Sequence, residues 1–120
     1  MTSYPKFVEF HEEGPREGFQ IEKQSFPPKE RAELIEALAD AGLSQVQVGS
    51  FVSPRAVPGM ADTEEVFKLI KKKDGTKYTV LWLNKKGFER ALRVPEVDIY
   101  PALMSYASDA FSQKNNNCTA

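Results

Sequence analysis

A strand-like run followed by a helix-like run, repeated along the chain at intervals of roughly 30 residues, leaves few folds open. The first strand is expected over residues 6–11, where Lys6-Phe7-Val8-Glu9-Phe10-His11 alternates apolar and polar side chains. A charged loop over 12–23 leads to a helix over 28–41, with Leu34, Ile35, Leu38 and Ala41 at helical spacing. Pro27-Pro28 suits its first turn, and Gly42 stands where a helix C-terminus favours glycine. The second strand covers 45–48 and ends at Gly49-Ser50. A loop over 50–61 feeds a second helix, with Asp62 and Glu65 spaced as a capping box and Val66, Leu69 and Ile70 as its inward stripe. Asp74-Gly75 turns the chain into a nearly all-apolar third strand over 78–83. Asn84 then caps a third helix with Phe88, Ala91 and Leu92 inward, a fourth strand is expected over 97–100, and a fourth helix over 106–114.

Four such units argue for an α/β fold with a parallel sheet and right-handed crossovers. A small open sheet could be complete at this length, whereas a (β/α)8 barrel takes about 250 residues, so four units would supply half of one. With 120 residues, 41% of them hydrophobic, the chain can bury one core but not two. A net charge of −1 gives no footprint for nucleic acid. The first residues lack the apolar run of a signal peptide, and no stretch has the length of a membrane span. The single cysteine, Cys118, cannot form an internal disulfide and fits a reducing compartment, with the cytoplasm as the default.

Chemistry in strand-and-helix folds gathers at the carboxyl ends of strands. The loop Glu12-Glu13-Gly14-Pro15-Arg16-Glu17-Gly18-Phe19-Gln20-Ile21-Glu22-Lys23 sits there. Its Arg-acid dipeptide between Gly14-Pro15 and Gly18 is either a cation and oxyanion site or a solvated surface turn.

The residues of this loop, together with Ser50-Phe51-Val52-Ser53-Pro54-Arg55-Ala56-Val57-Pro58-Gly59-Met60-Ala61-Asp62, resemble two signature loops of the hydroxymethylglutaryl-CoA lyase family. Asn84-x-x-Gly87-Phe88-Glu89 and Lys114-Asn115-Asn116-Asn117-Cys118-Thr119 are similar to later segments in the same order. The resemblance implies a metal-dependent TIM-barrel lyase, of which residues 1–120 would be the amino-terminal part. It implies cleavage of a 3-hydroxyacyl-CoA into acetyl-CoA and a keto acid, assisted by a divalent cation such as magnesium or manganese. By resemblance Arg16 would stabilise the enolate oxygen, Glu17 would bind the metal, and Gln20 would orient the substrate. Lys23 would lie near the CoA phosphates, with Gln47 and Ser50 lining the pocket. A small-molecule acyl-CoA is the implied partner, with a homo-oligomer in keeping with barrel lyases of this kind and no nucleic acid or membrane.

Two positions depart from the family pattern. Glu17 stands where the family has Asp, and Gln47 where it commonly has Glu, which removes a charge from the pocket. The family's His-x-His and Asn metal ligands have no counterpart here, His11 being in another place. The segment alone is therefore expected to be inactive and prone to associate, with an open sheet edge at 97–100. The competing reading is a truncated or degenerate, non-catalytic barrel fragment. An isopropylmalate synthase relative would share the first-loop Arg but not the Ser50-to-Asp62 run. Of the remaining signals, His11 is expected to be packed or half-exposed, Cys118 inert, Lys71-Lys72-Lys73 a solvated helix end and Trp82 core. Asp98 faces the pocket mouth or caps a strand end.

Overall fold

The computed structural model of the chain describes residues 3–102 and 104–117. Among them a parallel sheet runs in the order β1 (His11–Glu12), β2 (Gln45–Ser50), β3 (Lys77–Leu81). Around it lie α1 (Gly14–Ile21), α2 (Pro28–Asp40), α3 (Thr63–Leu69), α4 (Lys85–Leu92) and α5 (Asp109–Asn116). A short 3-10 turn, Pro58–Met60, precedes α3. Strand, helix, strand, helix in one direction is the α/β arrangement that the repeat predicts.

One face of the sheet carries the core. Val46 and Val48 of β2 and Tyr78 and Val80 of β3 pack on Ala32, Ile35 and Ala39 of α2, Val66 and Phe67 of α3, and Ala91 of α4. Full burial of an aliphatic side chain such as Ile35 stabilises the fold by roughly 1.5–3 kcal/mol. The stop of α2 follows from its glycine. Gly42 takes φ +93, its N–H bonds to the Ala39 carbonyl at 3.0 Å, and Leu43 N–H reaches back to the Leu38 carbonyl at 3.5 Å. This is a Schellman closure, with Leu38 and Leu43 both packed on the core.

Three predicted elements are corrected. Residues 6–10 are outside the ladder, because β2 begins at Gln45, which already pairs with His11, and leaves no strand upstream for them. Ser44 Oγ donates to the Phe10 carbonyl at 3.3 Å instead, and Phe7, Val8 and Phe10 are exposed. No strand forms over 97–100. Asp98 takes up both backbone groups of Tyr78 by itself: its N–H donates to the Tyr78 carbonyl, and its Oδ2 accepts from Tyr78 N–H, each at 2.8 Å. The fourth helix starts at Asp109 rather than 106, where the Ser108 hydroxyl accepts from Phe111 N–H at 3.3 Å.

Smaller differences concern side chains. Leu34, Leu69 and Leu92 are exposed, and Arg31 and Phe67 are buried in their stead. Asp62 precedes α3 but its side chain does not cap it, so the capping box with Glu65 is absent. Asn84 does cap α4, its Oδ1 accepting from Gly87 N–H at 3.0 Å. Lys71, Lys72 and Lys73 follow α3 and are exposed, as expected of a solvated run, with Lys72 Nζ donating to Asp98 Oδ2 at 2.8 Å and Lys73 Nζ to Asp40 Oδ1 at 3.0 Å. His11 is exposed and meets Tyr100 edge-on at 5.9 Å. Trp82 lies half-buried against Phe88 at 4.9 Å. Cys118 lies outside the described residues, as does Thr119. No helix among the described residues is long and apolar enough to cross a membrane.

Candidate active site

The loop expected after β1 is a helix. Pro15 falls in the first turn of α1, where its fixed φ suits the helix and its missing N–H costs nothing. The Glu13 carbonyl accepts from Arg16 N–H at 3.0 Å and Glu17 N–H at 2.7 Å, while Glu12 Oε1 accepts from Gly14 N–H at 2.6 Å. Glycines on either side of the Arg-acid dipeptide read as loop punctuation, and the proline at the helix start decides otherwise. Arg16, Glu17 and Gln20 thus project from a rigid turn.

Arg16 is the hub. Its Nε donates to Gln47 Oε1 on β2, one Nη donates to Glu17, and the other donates to Glu13 Oε2 at 2.8 Å. Gln47 is far along the chain, so this contact ties the mouth of the first unit to the second strand. Three acceptors on one planar guanidinium fix its plane and aim. Its side chain keeps 12% of its surface open, and those of Glu13 and Glu17 are about half exposed or more.

A bulge sets which β2 residues join it. Gln47 pairs with Thr79 and Ser50 with Leu81, with a register shift between Gln47 and Gly49. Thr79 and Leu81 are two apart on β3 and share a face, so Gln47 and Ser50, three apart on β2, share it too. Without the bulge they would point to opposite faces. Ser50 is fully buried, its carbonyl accepting from Thr63 Oγ1 at 3.4 Å. The hydroxyls of Ser50 and Thr79 are buried without a hydrogen-bond partner.

Gln20 and Lys23 stand apart from that hub. They line a cleft of about 380 Å³ between the end of α1 and the turn Ala56-Val57-Pro58-Gly59, together with Glu22, Gln24 and Ser25. The site residues named from sequence therefore fall into two groups: Arg16, Glu17, Gln47 and Ser50 at the sheet, and Gln20 and Lys23 in the neighbouring cleft. Among the described residues no three His, Cys, Asp or Glu side chains gather to hold a metal ion. The Glu17 carboxylate, like that of Glu13, is paired with the Arg16 cation, so these residues do not by themselves fit a divalent ion.

Sequence reasoning missed Glu13 and Arg31. Glu13 lies three residues before Arg16 on one helical turn, a spacing that signals the pair. Arg31 has no such signal. Its guanidinium is 1% exposed and donates to Asp62 Oδ1 at 2.6 Å and the Gly59 carbonyl at 3.1 Å. Burial lowers its pKa, and the Asp62 charge and hydrogen bond work against that shift.

Known proteins carry the same chain organisation. A Pseudomonas aeruginosa "3-hydroxy-3-isohexenylglutaryl-CoA/hydroxy-methylglutaryl-CoA lyase" is 47% identical over 117 residues, which are 96% of this chain and 38% of that protein. The mitochondrial hydroxymethylglutaryl-CoA lyase of Rattus norvegicus is 45% identical over 121 residues, 99% of this chain and 36% of its own. The fold agrees. A Bacillus subtilis HMG-CoA lyase structure superposes with a TM-score of 0.88 at 34% identity, covering 98% of this chain and 39% of that one. The chain matches the amino-terminal part of hydroxymethylglutaryl-CoA lyases. Its parallel sheet and helices match the corresponding part of the TIM-barrel structures of these lyases, and it spans well under half their length. A further lyase structure, from Acinetobacter baumannii, was solved in complex with coenzyme A and 3-methylmalate, and shares 38% identity and a TM-score of 0.72 over 78% of this chain and 31% of its own. No family model matches the chain.

Proposed function

We propose that residues 1–120 are the amino-terminal part of a hydroxymethylglutaryl-CoA lyase-like barrel domain that splits a 3-hydroxyacyl-CoA into acetyl-CoA and a keto acid. The observation that carries this reading is the convergence of Arg16, Glu17 and Gln47 from α1 and β2. As the 3-hydroxyl gives up its proton and becomes the carbonyl of the keto acid, the electrons of the breaking carbon–carbon bond pass to the thioester carbonyl as an enolate oxygen, and protonation of the enolate carbon then yields acetyl-CoA. A permanently charged guanidinium held in a fixed plane is suited to receive that oxygen. The exposed carboxylates of Glu13 and Glu17 are the partners Arg16 would release in exchange. Gln47 anchors the guanidinium through its amide oxygen, and Ser50, on the same sheet face, adds a hydroxyl without a partner.

Gln20 and Lys23 would serve the substrate from the adjoining cleft, with the Lys23 ammonium near the coenzyme A phosphates. A divalent cation, magnesium or manganese, would supply Lewis-acid polarisation of substrate oxygens when bound, and Glu17 is the ligand this chain would give it. A cytoplasmic location belongs to the same reading, as the name of one mouse relative has it for that protein. The 120-residue chain alone is expected to be inactive.

The test is a chimaera in which this chain replaces the matched segment of the Pseudomonas lyase. Acetyl-CoA formation from hydroxymethylglutaryl-CoA, with and without magnesium, is the readout. Turnover that falls on Arg16→Met supports the reading. A folded chimaera with no turnover overturns it.

A further inference from the structure

A buried guanidinium loses its hydration, and a buried ion pair often stabilises a fold no better than well-packed apolar residues would. Arg31 on α2 is such a group, with its Nε left without a partner. What it touches explains its presence better than stability does. Its Nη atoms donate to Asp62 Oδ1 at 2.6 Å, to the Gly59 carbonyl at 3.1 Å and to Met60 Sδ at 3.5 Å, three points on one turn between β2 and α3. Its guanidinium carbon lies 6.0 Å from the centre of the Phe19 ring on α1, the residue before Gln20. Gly59 lines the cleft, and a Cβ placed on it would stand 3.8 Å from the Phe19 carbonyl. One cation therefore fastens both walls of the cleft that holds Gln20 and Lys23.

We propose that Arg31 is a positioning residue that pins the 59–62 turn against α1, so that the cleft is shaped in advance to take the coenzyme A portion of the substrate. The proposal rests on the functional reading above. The fork matters because its two prongs reach different points of the turn: Nη1 donates to both the Gly59 carbonyl and Asp62, while Nη2 reaches Met60 Sδ, and a lysine ammonium has no second nitrogen for that contact. Preorganisation raises affinity by removing the ordering cost of the turn at the moment of binding.

The experiment is calorimetric titration of the chimaera described above with coenzyme A, paired with urea unfolding. In the double variant Arg31→Met with Asp62→Leu both charges go, so no lone charge is left buried. It is expected to keep the urea midpoint while coenzyme A affinity falls about tenfold or more. Arg31→Lys keeps a cation beside Asp62 and the fold, yet is expected to lose about threefold or more in affinity, because the turn is no longer held at Met60 by a second nitrogen. The single variant keeps the test decisive if the double one fails to fold. Undiminished affinity in either folded variant overturns the positioning role and leaves the functional reading standing. Absence of coenzyme A binding by the unaltered chimaera overturns both, at an earlier step.

Discussion

Arg16 and Arg31 are the same chemical group, each paired with a carboxylate, and the molecule treats them in opposite ways. Arg16 keeps 12% of its side chain open, and its carboxylates, Glu13 and Glu17, have half or more of theirs in water. Exposed pairs of this kind are worth only about 0–1 kcal/mol, so an arriving anion displaces them at little cost. Arg31 is 1% exposed, and its partners include a backbone carbonyl that cannot swing away. The difference separates a cation available for chemistry from one committed to holding a turn. Both lie beside β2, one on Gln47 and the other against Gly49 on the strand's two faces.

Swapping the two losses breaks the comparison most sharply. Arg16→Met in the chimaera is expected to lower turnover about 10²–10³-fold, the cost of removing one oxyanion donor, and to leave the urea midpoint unchanged. Arg31→Met alone should instead lower the urea midpoint of the same chimaera. Loss of one partner of a buried pair costs about 3–5 kcal/mol, and because Asp62 keeps a third of its side chain in water the lower end is expected in urea unfolding.

Gly49→Ala probes the ground between the arginines. Its new Cβ would meet Thr63 Oγ1 at 2.6 Å and Arg31 Nη2 at 3.3 Å, so a loss of about 1–3 kcal/mol through overpacking is expected, read by the same unfolding curve. The smallest effect is reserved for Glu13→Gln. Its stability should stay within about 0.5 kcal/mol, since it removes one exposed pair, measured again by urea midpoint.

The same contrast explains what the sequence made legible. Gly42, Gly75 and Asn84 were readable, because a left-handed backbone or a cap is a local demand met by one residue type. That Arg16 and Gln47 line one pocket was implied by resemblance alone, and their hydrogen bond is visible only in the structure, α1 being hidden by glycines that read as a loop. Arg31 was illegible, since on a helix it reads as another solvated cation, and only the return of the 59–62 turn buries it. That contact also took the Asp62 carboxylate away from the α3 cap, so a capping-box spacing was present without the box. The fourth strand failed for a related reason: one residue, Asp98, met both bonds of Tyr78 that a neighbouring strand would have taken, one with its backbone N–H and one with its carboxylate. Local signals hold where no distant partner competes for the same atoms.

The most direct measurement is a double-mutant cycle on turnover by the chimaera, using Arg16→Met, Gln47→Leu and the pair. If the two side chains form one oxyanion-holding unit, the double variant should be about as slow as Arg16→Met alone, a coupling of about 0.5–3 kcal/mol. Independent losses that multiply in the double variant would contradict that unit.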